Sequence, residues 1–162
     1  MAEKNNNYIL IGMPGSGKST IGVLLAKALG YDFVDTDLVI QQKGGGLLKE
    51  IIARIGNDGF KQLDVNASID VDKSVIAPGG SAVYSDKAMK HFKEIGTVIY
   101  LKLDYQTVKR RLGNLKARGV VLEEGQTLHD LYCERIPYYE KYAVELDKLS
   151  IGDSLEKVLE NL

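Results

Sequence analysis

The chain has 162 residues, 44% of them apolar and 27% charged, with a formal net charge of −1. That length and balance fit one domain, 1–162, with a packed core. They exclude a basic field that would gather nucleic acid or anionic membrane, and no apolar run approaches the roughly 20 residues that span a bilayer.

In chain order, Met1 to Asn7 is polar and lacks the apolar centre of a signal peptide, so a cytoplasmic protein is expected. Tyr8–Ile11 reads as a buried strand running into a glycine-rich loop. A helix follows, with Ile21, Leu24, Leu25 and Leu29 on one side and Gly30 ending it. Phe33–Asp35 is a second strand, and a helix over Leu38–Gln42 follows. Leu47, Leu48, Ile51, Ile52 and Ile55 recur at helical spacing before Gly56. Ser74–Ala77 is a third strand, broken by Pro78-Gly79-Gly80, and Val98–Leu103 is the fourth. Leu128 to Tyr142 has a helical pattern that Pro137 is expected to kink or break. A short strand near Val144–Leu149 and a helix at Ser154–Leu162 close the chain. Strands alternating with helices predict a mostly parallel sheet covered on both faces, with ligands beyond the carboxyl ends of its strands.

The segment Gly12-Met13-Pro14-Gly15-Ser16-Gly17-Lys18-Ser19 matches G-x-x-x-x-G-K-[ST] at every fixed position. Glycines let backbone N–H groups turn inward onto phosphate oxygens, and the following helix offers free N–H groups and a positive dipole end. Lys18 can reach the β- and γ-phosphates, and the Ser19 hydroxyl can ligate Mg²⁺. Gly12, Gly15, Ser16, Gly17, Lys18, Ser19 and Thr20 are therefore the candidate contacts to ATP.

Asp35-Thr36-Asp37 ends the second strand. On an extended chain the two carboxylates point the same way. One could support Mg²⁺ while the other orients or deprotonates an attacking hydroxyl, and Asp37 could also cap the next helix. Five basic residues and no acid fall between Thr107 and Arg118. Such a run is usually a solvated helix face, but here a positive lid over a triphosphate is the better reading, with Gly113 and Gly119 as hinges and Gly125 bracketing the segment. His91 and His129 have no metal-ligand spacing and read as surface or half-buried helix residues. Tyr138, Tyr139 and Tyr142 read as packing, and the single cysteine, Cys133, as a small apolar side chain on a helix.

Taken together, these pieces resemble shikimate kinase, within the nucleoside-monophosphate-kinase-like P-loop kinases. The resemblance covers nearly the whole chain. It rests on the P-loop, on Asp35-Thr36-Asp37, and on Gly56-x-x-x-Phe60-x-x-x-Asp64. It also rests on Ala77-Pro78-Gly79-Gly80-Ser81-Ala82-Val83, on Arg111 and Arg118, and on Arg135-x-Pro137-x-Tyr139. It implies a three-layer α/β P-loop kinase fold with a five-stranded parallel sheet, a mobile lid at about 113–125, and an acceptor-binding segment at about 35–75. It implies ATP and Mg²⁺ as cofactors, a small hydroxy acid as substrate, and a monomer. Asp37 would act as base, leaving Asp35 to Mg²⁺. Arg118 would neutralise the transferring phosphoryl group, and Arg111 would lie over the adenine. Asp37, Lys61, Gly79, Gly80, Ser81 and Arg135 would hold the acceptor.

Three positions depart from the family pattern. Lys61 stands where the family has an arginine, Asp64 where it has a glutamate, and Ser81 where it has the third glycine of the turn. The lid also reads Arg118-Gly119 where proline commonly follows the arginine. A lysine is a point charge and cannot form a two-pronged grip on a carboxylate. Shikimate is the expected acceptor, with homoserine or gluconate as alternatives. A nucleoside monophosphate kinase fits less well, because Asp32 to Val75 carries five basic residues against eight acids. A nucleotide-dependent switch would need no combination of Asp37, Arg118 and Arg135.

Overall fold

The first apolar run forms strand β1 (Asn7–Ile11), and it lies at the centre of the sheet. The other strands are β2 (Asp32–Asp35), β3 (Ser74–Ala77), β4 (Gly96–Tyr100) and β5 (Val144–Glu145). Their order is β2-β3-β1-β4-β5, and every pairing is parallel. Asp35 pairs with Ala77, and Ile11 with Tyr100, so the carboxyl ends of neighbouring strands finish at one edge. This computed structural model describes residues 6–14, 16–47, 50–51, 53–56, 71–112, 124–142 and 144–145, with positions 156 and 159–160.

Alternation along β1 divides the core. Ile9 and Ile11 face one side, where they join Ile76, Val98, Tyr100, Met89, Phe92, Leu131 and Tyr139. Leu10 faces the other side, with Val75, Ile99, Ile21, Leu25 and Ala26. The centre of the sheet is thus buried on both faces, and β1 and β3 read as nearly continuous apolar runs for that reason.

Helix α1 (Lys18–Leu29) covers the second side through Ile21 and Leu25, with Gly30 at φ 70° ending it as expected. Leu24 is 38% exposed and does not join that face, because each helical step turns the side chain by about 100°. Helix α2 is longer than expected, Thr36–Gly44. The helical turns at 50–51 and 53–56 bury Ile51 but leave Leu47 and Ile55 exposed.

Helix α3 (Asp86–Ile95) was not foreseen. The Ser85 hydroxyl caps it, and Ala88, Met89, Phe92 and Ile95 are its buried face. Strand β4 starts and ends earlier than Val98–Leu103. Leu101 and Leu103 are apolar because they are buried beyond the ladder, where Leu101 N–H still bonds Ile11 O at 2.9 Å. Helix α4 (Tyr105–Leu112) carries the start of the basic run. Helix α5 (Leu128–Tyr142) continues through Pro137 without a break. A reciprocal cap at its start, Thr127 N–H on Asp130 and Asp130 N–H on the Thr127 hydroxyl, anchors it. Cys133 is exposed on α5 and does not pack in the core.

One buried side chain locks the amino end of the sheet. Asn7 donates from Nδ2 to Val71 O at 3.0 Å and Ile95 O at 3.1 Å, and its Oδ1 accepts Ser74 N–H at 3.0 Å.

Candidate active site

The turn between β1 and α1 is shaped by close approach. A Cβ on Gly12, whose φ is 155°, would lie 2.9 Å from both Leu101 O and Ser16 Oγ, so only glycine fits there. Ser16 N–H closes the turn on Met13 O at 3.0 Å. The Ser16 hydroxyl is buried with no hydrogen-bond partner among the described residues. Gly17 precedes α1, which has no side-chain cap and no acid in its first turn. Every other labelled helix start is capped by a side chain: α2 by Asp35, α3 by Ser85, α4 by Asp104 and α5 by Thr127. No side chain of the N-cap residue occupies the amino end of α1, which is where phosphate oxygens would sit. Lys18 lies along the loop with Nζ 2.9 Å from Gly12 O, and Ser19 and Thr20 are exposed in the first turn.

The two acids beyond β2 do not share an extended chain. The strand ends at Asp35 and the helix begins at Thr36. Asp35, and not Asp37, caps α2: its Oδ1 accepts Asp37 N–H at 2.9 Å and Leu38 N–H at 3.3 Å. Asp37 sits in the first helical turn, half-buried, with Oδ1 shielded from water. Between them, Thr36 is fully buried, and its hydroxyl accepts Gly79 N–H at 3.1 Å. This bond ties the start of α2 to the Pro78-Gly79-Gly80 turn at the end of β3. Sequence reading gave Thr36 no role, since its partner lies 43 residues away.

Gly80 opens a 3-10 helix, Gly80–Tyr84, whose first bond runs from Ala82 N–H to Gly79 O. The helix delivers Tyr84 to Arg135 on α5. Arg135 is only 8% exposed, and its Nε donates to the Tyr84 hydroxyl at 3.2 Å. Its Nη1 is buried with no partner among the described residues. Burial works against the charge of Arg135, but the neighbouring Tyr139 and Tyr84 outweigh it and hold the guanidinium above its ordinary pKa. Burial likewise pushes the Tyr84 and Tyr139 hydroxyls up, an effect that Arg135 only partly offsets. Tyr139 stacks on Tyr100 with ring centroids 5.1 Å apart.

The structure therefore brings Gly12, Ser16, Gly17, Lys18, Ser19, Thr20, Asp35 and Asp37 to the carboxyl edge of the sheet. It connects Gly79 and Gly80 to Thr36, and Arg135 to Tyr84. Arg111 is half-buried in the last turn of α4, while Lys109 and Arg110 are exposed. Gly15, Lys61, Asp64, Arg118 and the lid at 113–123 lie outside the described residues, as does the side chain of Ser81. His91 is half-buried and His129 exposed, both on helices, as expected. Among the described residues no cluster of His, Cys, Asp or Glu could hold a metal by itself, and no helix is long and apolar enough to cross a membrane.

A family model described as shikimate kinase matches residues 14–162. The chain belongs to the shikimate kinase family. A shikimate kinase from Chlorobium chlorochromatii (strain CaD3) is 34% identical over 173 residues, covering 98% of this chain and 91% of that protein. One from Thermodesulfovibrio yellowstonii is 31% identical over 160 residues, covering 94% and 92%. The solved shikimate kinase from Acinetobacter baumannii in complex with shikimate is 30% identical, with a TM-score of 0.84 over 98% of this chain and 93% of that one. The fold is therefore the α/β P-loop kinase fold of the shikimate kinases.

Proposed function

We propose that this chain transfers the γ-phosphoryl group of ATP to a hydroxyl of shikimate, giving shikimate 3-phosphate. Beside the family match, one structural observation carries the reading. The phosphate-loop helix and the Asp35–Asp37 turn both start where strands of one parallel sheet end, and the Thr36–Gly79 and Tyr84–Arg135 bonds tie that acid-bearing turn to a buried arginine. The helix start suits a polyphosphate and the arginine a carboxylate.

In this reading Lys18 and the backbone of residues 12–20 hold the phosphates. Mg²⁺ would be held by the Ser19 hydroxyl and by the Asp35 oxygen that does not cap α2. When bound, the ion neutralises developing charge on the phosphates. Asp37 accepts the proton of the attacking hydroxyl, and its partly shielded setting suits that work. Arg135, Gly79, Gly80 and Ser81, with Lys61, hold the acceptor. Arg118 neutralises the transferring group, the lid at 113–125 closes over the nucleotide, and Arg111 flanks the adenine. The enzyme works as a cytoplasmic monomer.

Turnover of ATP against shikimate, homoserine and gluconate tests the reading. Shikimate is expected to give the highest kcat/KM, and Lys61→Arg to lower its KM by restoring a forked grip. A tenfold preference for homoserine or gluconate would replace the acceptor. Absence of turnover with all three would favour a nucleotide switch.

A further inference from the structure

We propose that Tyr84 is a positioning residue for the acceptor: it aims the Arg135 guanidinium and makes acceptor affinity depend on the glycine turn. The inference rests on the reading of Arg135 as an acceptor contact. It assigns work to a side chain that would touch neither nucleotide nor acceptor.

A guanidinium has five donors in a rigid plane. Fixing Nε and the direction of the plane therefore fixes where Nη1 points. Tyr84 does both. Its hydroxyl accepts from Nε at 3.2 Å, and its ring centroid is 5.5 Å from the guanidinium carbon. The ring is held in turn by Tyr138, edge-on at 5.2 Å and 75°. Its backbone is held by the 3-10 helix, in which Ser85 N–H bonds Ala82 O at 3.0 Å and Ala82 and Val83 are buried. Gly79 N–H at the start of that helix is bound by Thr36, next to both acids. An unbroken path of short contacts thus runs from Asp35-Thr36-Asp37 through the glycine turn and Tyr84 to Arg135.

A long, buried arginine on a helix would otherwise be free to rotate its head about several bonds. It would lose conformational freedom each time it gripped a carboxylate. With Nε already bonded, that ordering is complete before the acceptor arrives. The same bond sets the direction of Nη1, which is buried with no hydrogen-bond partner among the described residues, while Tyr139 flanks the guanidinium.

The test compares Tyr84→Phe with wild type. The substitution removes one oxygen and keeps the ring, its contact with Tyr138 and its contact with the guanidinium. Wild-type turnover of shikimate is measured first. If it is absent, the acceptor assignment falls, and the comparison runs on whichever hydroxy acid the wild type accepts. KM for the acceptor is expected to rise about tenfold, the lower end of what a hydrogen bond to a charged group is worth. KM for ATP and kcat should stay within about twofold, because the phosphate loop and Asp37 are untouched. Tyr138→Phe, which changes an exposed hydroxyl, should leave all three constants unchanged. An unchanged acceptor KM in Tyr84→Phe would overturn the proposal. So would an equal loss in both KM values and kcat, which would mark a merely structural role. If Tyr84→Phe does not fold, Tyr84→Leu, which has no hydrogen-bond acceptor either, takes its place, with the same split required.

Discussion

Asp35 and Asp37 are two residues apart, yet their surroundings assign them different chemistry. Asp35 has one carboxylate oxygen committed to the first N–H groups of α2. Asparagine caps helices about as well as aspartate. Asp35→Asn should therefore fold normally and bind nucleotide, but it lacks the charge that supports a cation. Its activity is expected to need a higher Mg²⁺ concentration and to recover when that is supplied. Asp37 has no capping duty. Asp37→Asn keeps the size of the side chain and loses the ability to take a proton. Turnover should fall about 10²–10⁴-fold, at any Mg²⁺ concentration, with ATP affinity little changed. A Mg²⁺ titration of the two variants side by side checks this, and superimposable curves would refute the division. The phosphate loop was readable from sequence because its parts are contiguous, so the motif states its own geometry. Thr36 and Tyr84 were not, because their partners lie 43 and 51 residues away and only the folded sheet brings them together. The capping by Asp35 was missed because the triplet was read as fully extended, whereas the strand stops at its first residue.

At the level of elements, the joint between β1 and β4 depends on the absence of a side chain. Gly96 has an extended backbone that any residue could adopt, but a Cβ there would lie 2.2 Å from Asn7 O and 2.7 Å from Asn7 C. Neither atom can move without parting the strands or disturbing the three hydrogen bonds of the Asn7 side chain. Gly96→Ala is therefore expected to lower unfolding free energy by about 2–3 kcal/mol, at the upper end of ordinary overpacking. Urea denaturation measures it, and a loss below about 1 kcal/mol would mean that the strands yield easily. Glycine at a strand start offers no periodicity, so this constraint was invisible beforehand. The missed helix α3 is a different case. Ser85 and the spacing of Ala88, Met89, Phe92 and Ile95 carried a helical signal. Three lysines and two acids among ten residues diluted its hydropathy. Pro137 misled in the opposite direction: its ring removes one hydrogen bond from α5, but the helix is held on both sides of it by buried Arg135 and Tyr139.

At the scale of the whole molecule, nucleotide binding should register as stability. A ligand held only by the folded state at 100 times its Kd adds about 2.7 kcal/mol. In a domain of this size that raises Tm by about 5–10 °C. Lys18→Ala should remove most of that rise while shifting the ligand-free Tm by no more than about 2 °C, since its ammonium serves the loop and not the core. Differential scanning calorimetry with and without MgATP makes the comparison. A full rise in Lys18→Ala would show that the lysine is not a phosphate contact. The open start of α1 also bears on how this protein can adapt to heat. Among the described residues, helices α2 to α5 already begin on a capping side chain, so that route to extra stability is used there. The start of α1 has no such cap, and any side chain that filled it would compete with the phosphates for the same N–H groups. Selection for thermal tolerance and selection for turnover pull in opposite directions at Gly17. Lineages of this enzyme in hot environments must therefore gain their stability elsewhere, and the phosphate loop should stay the same across them.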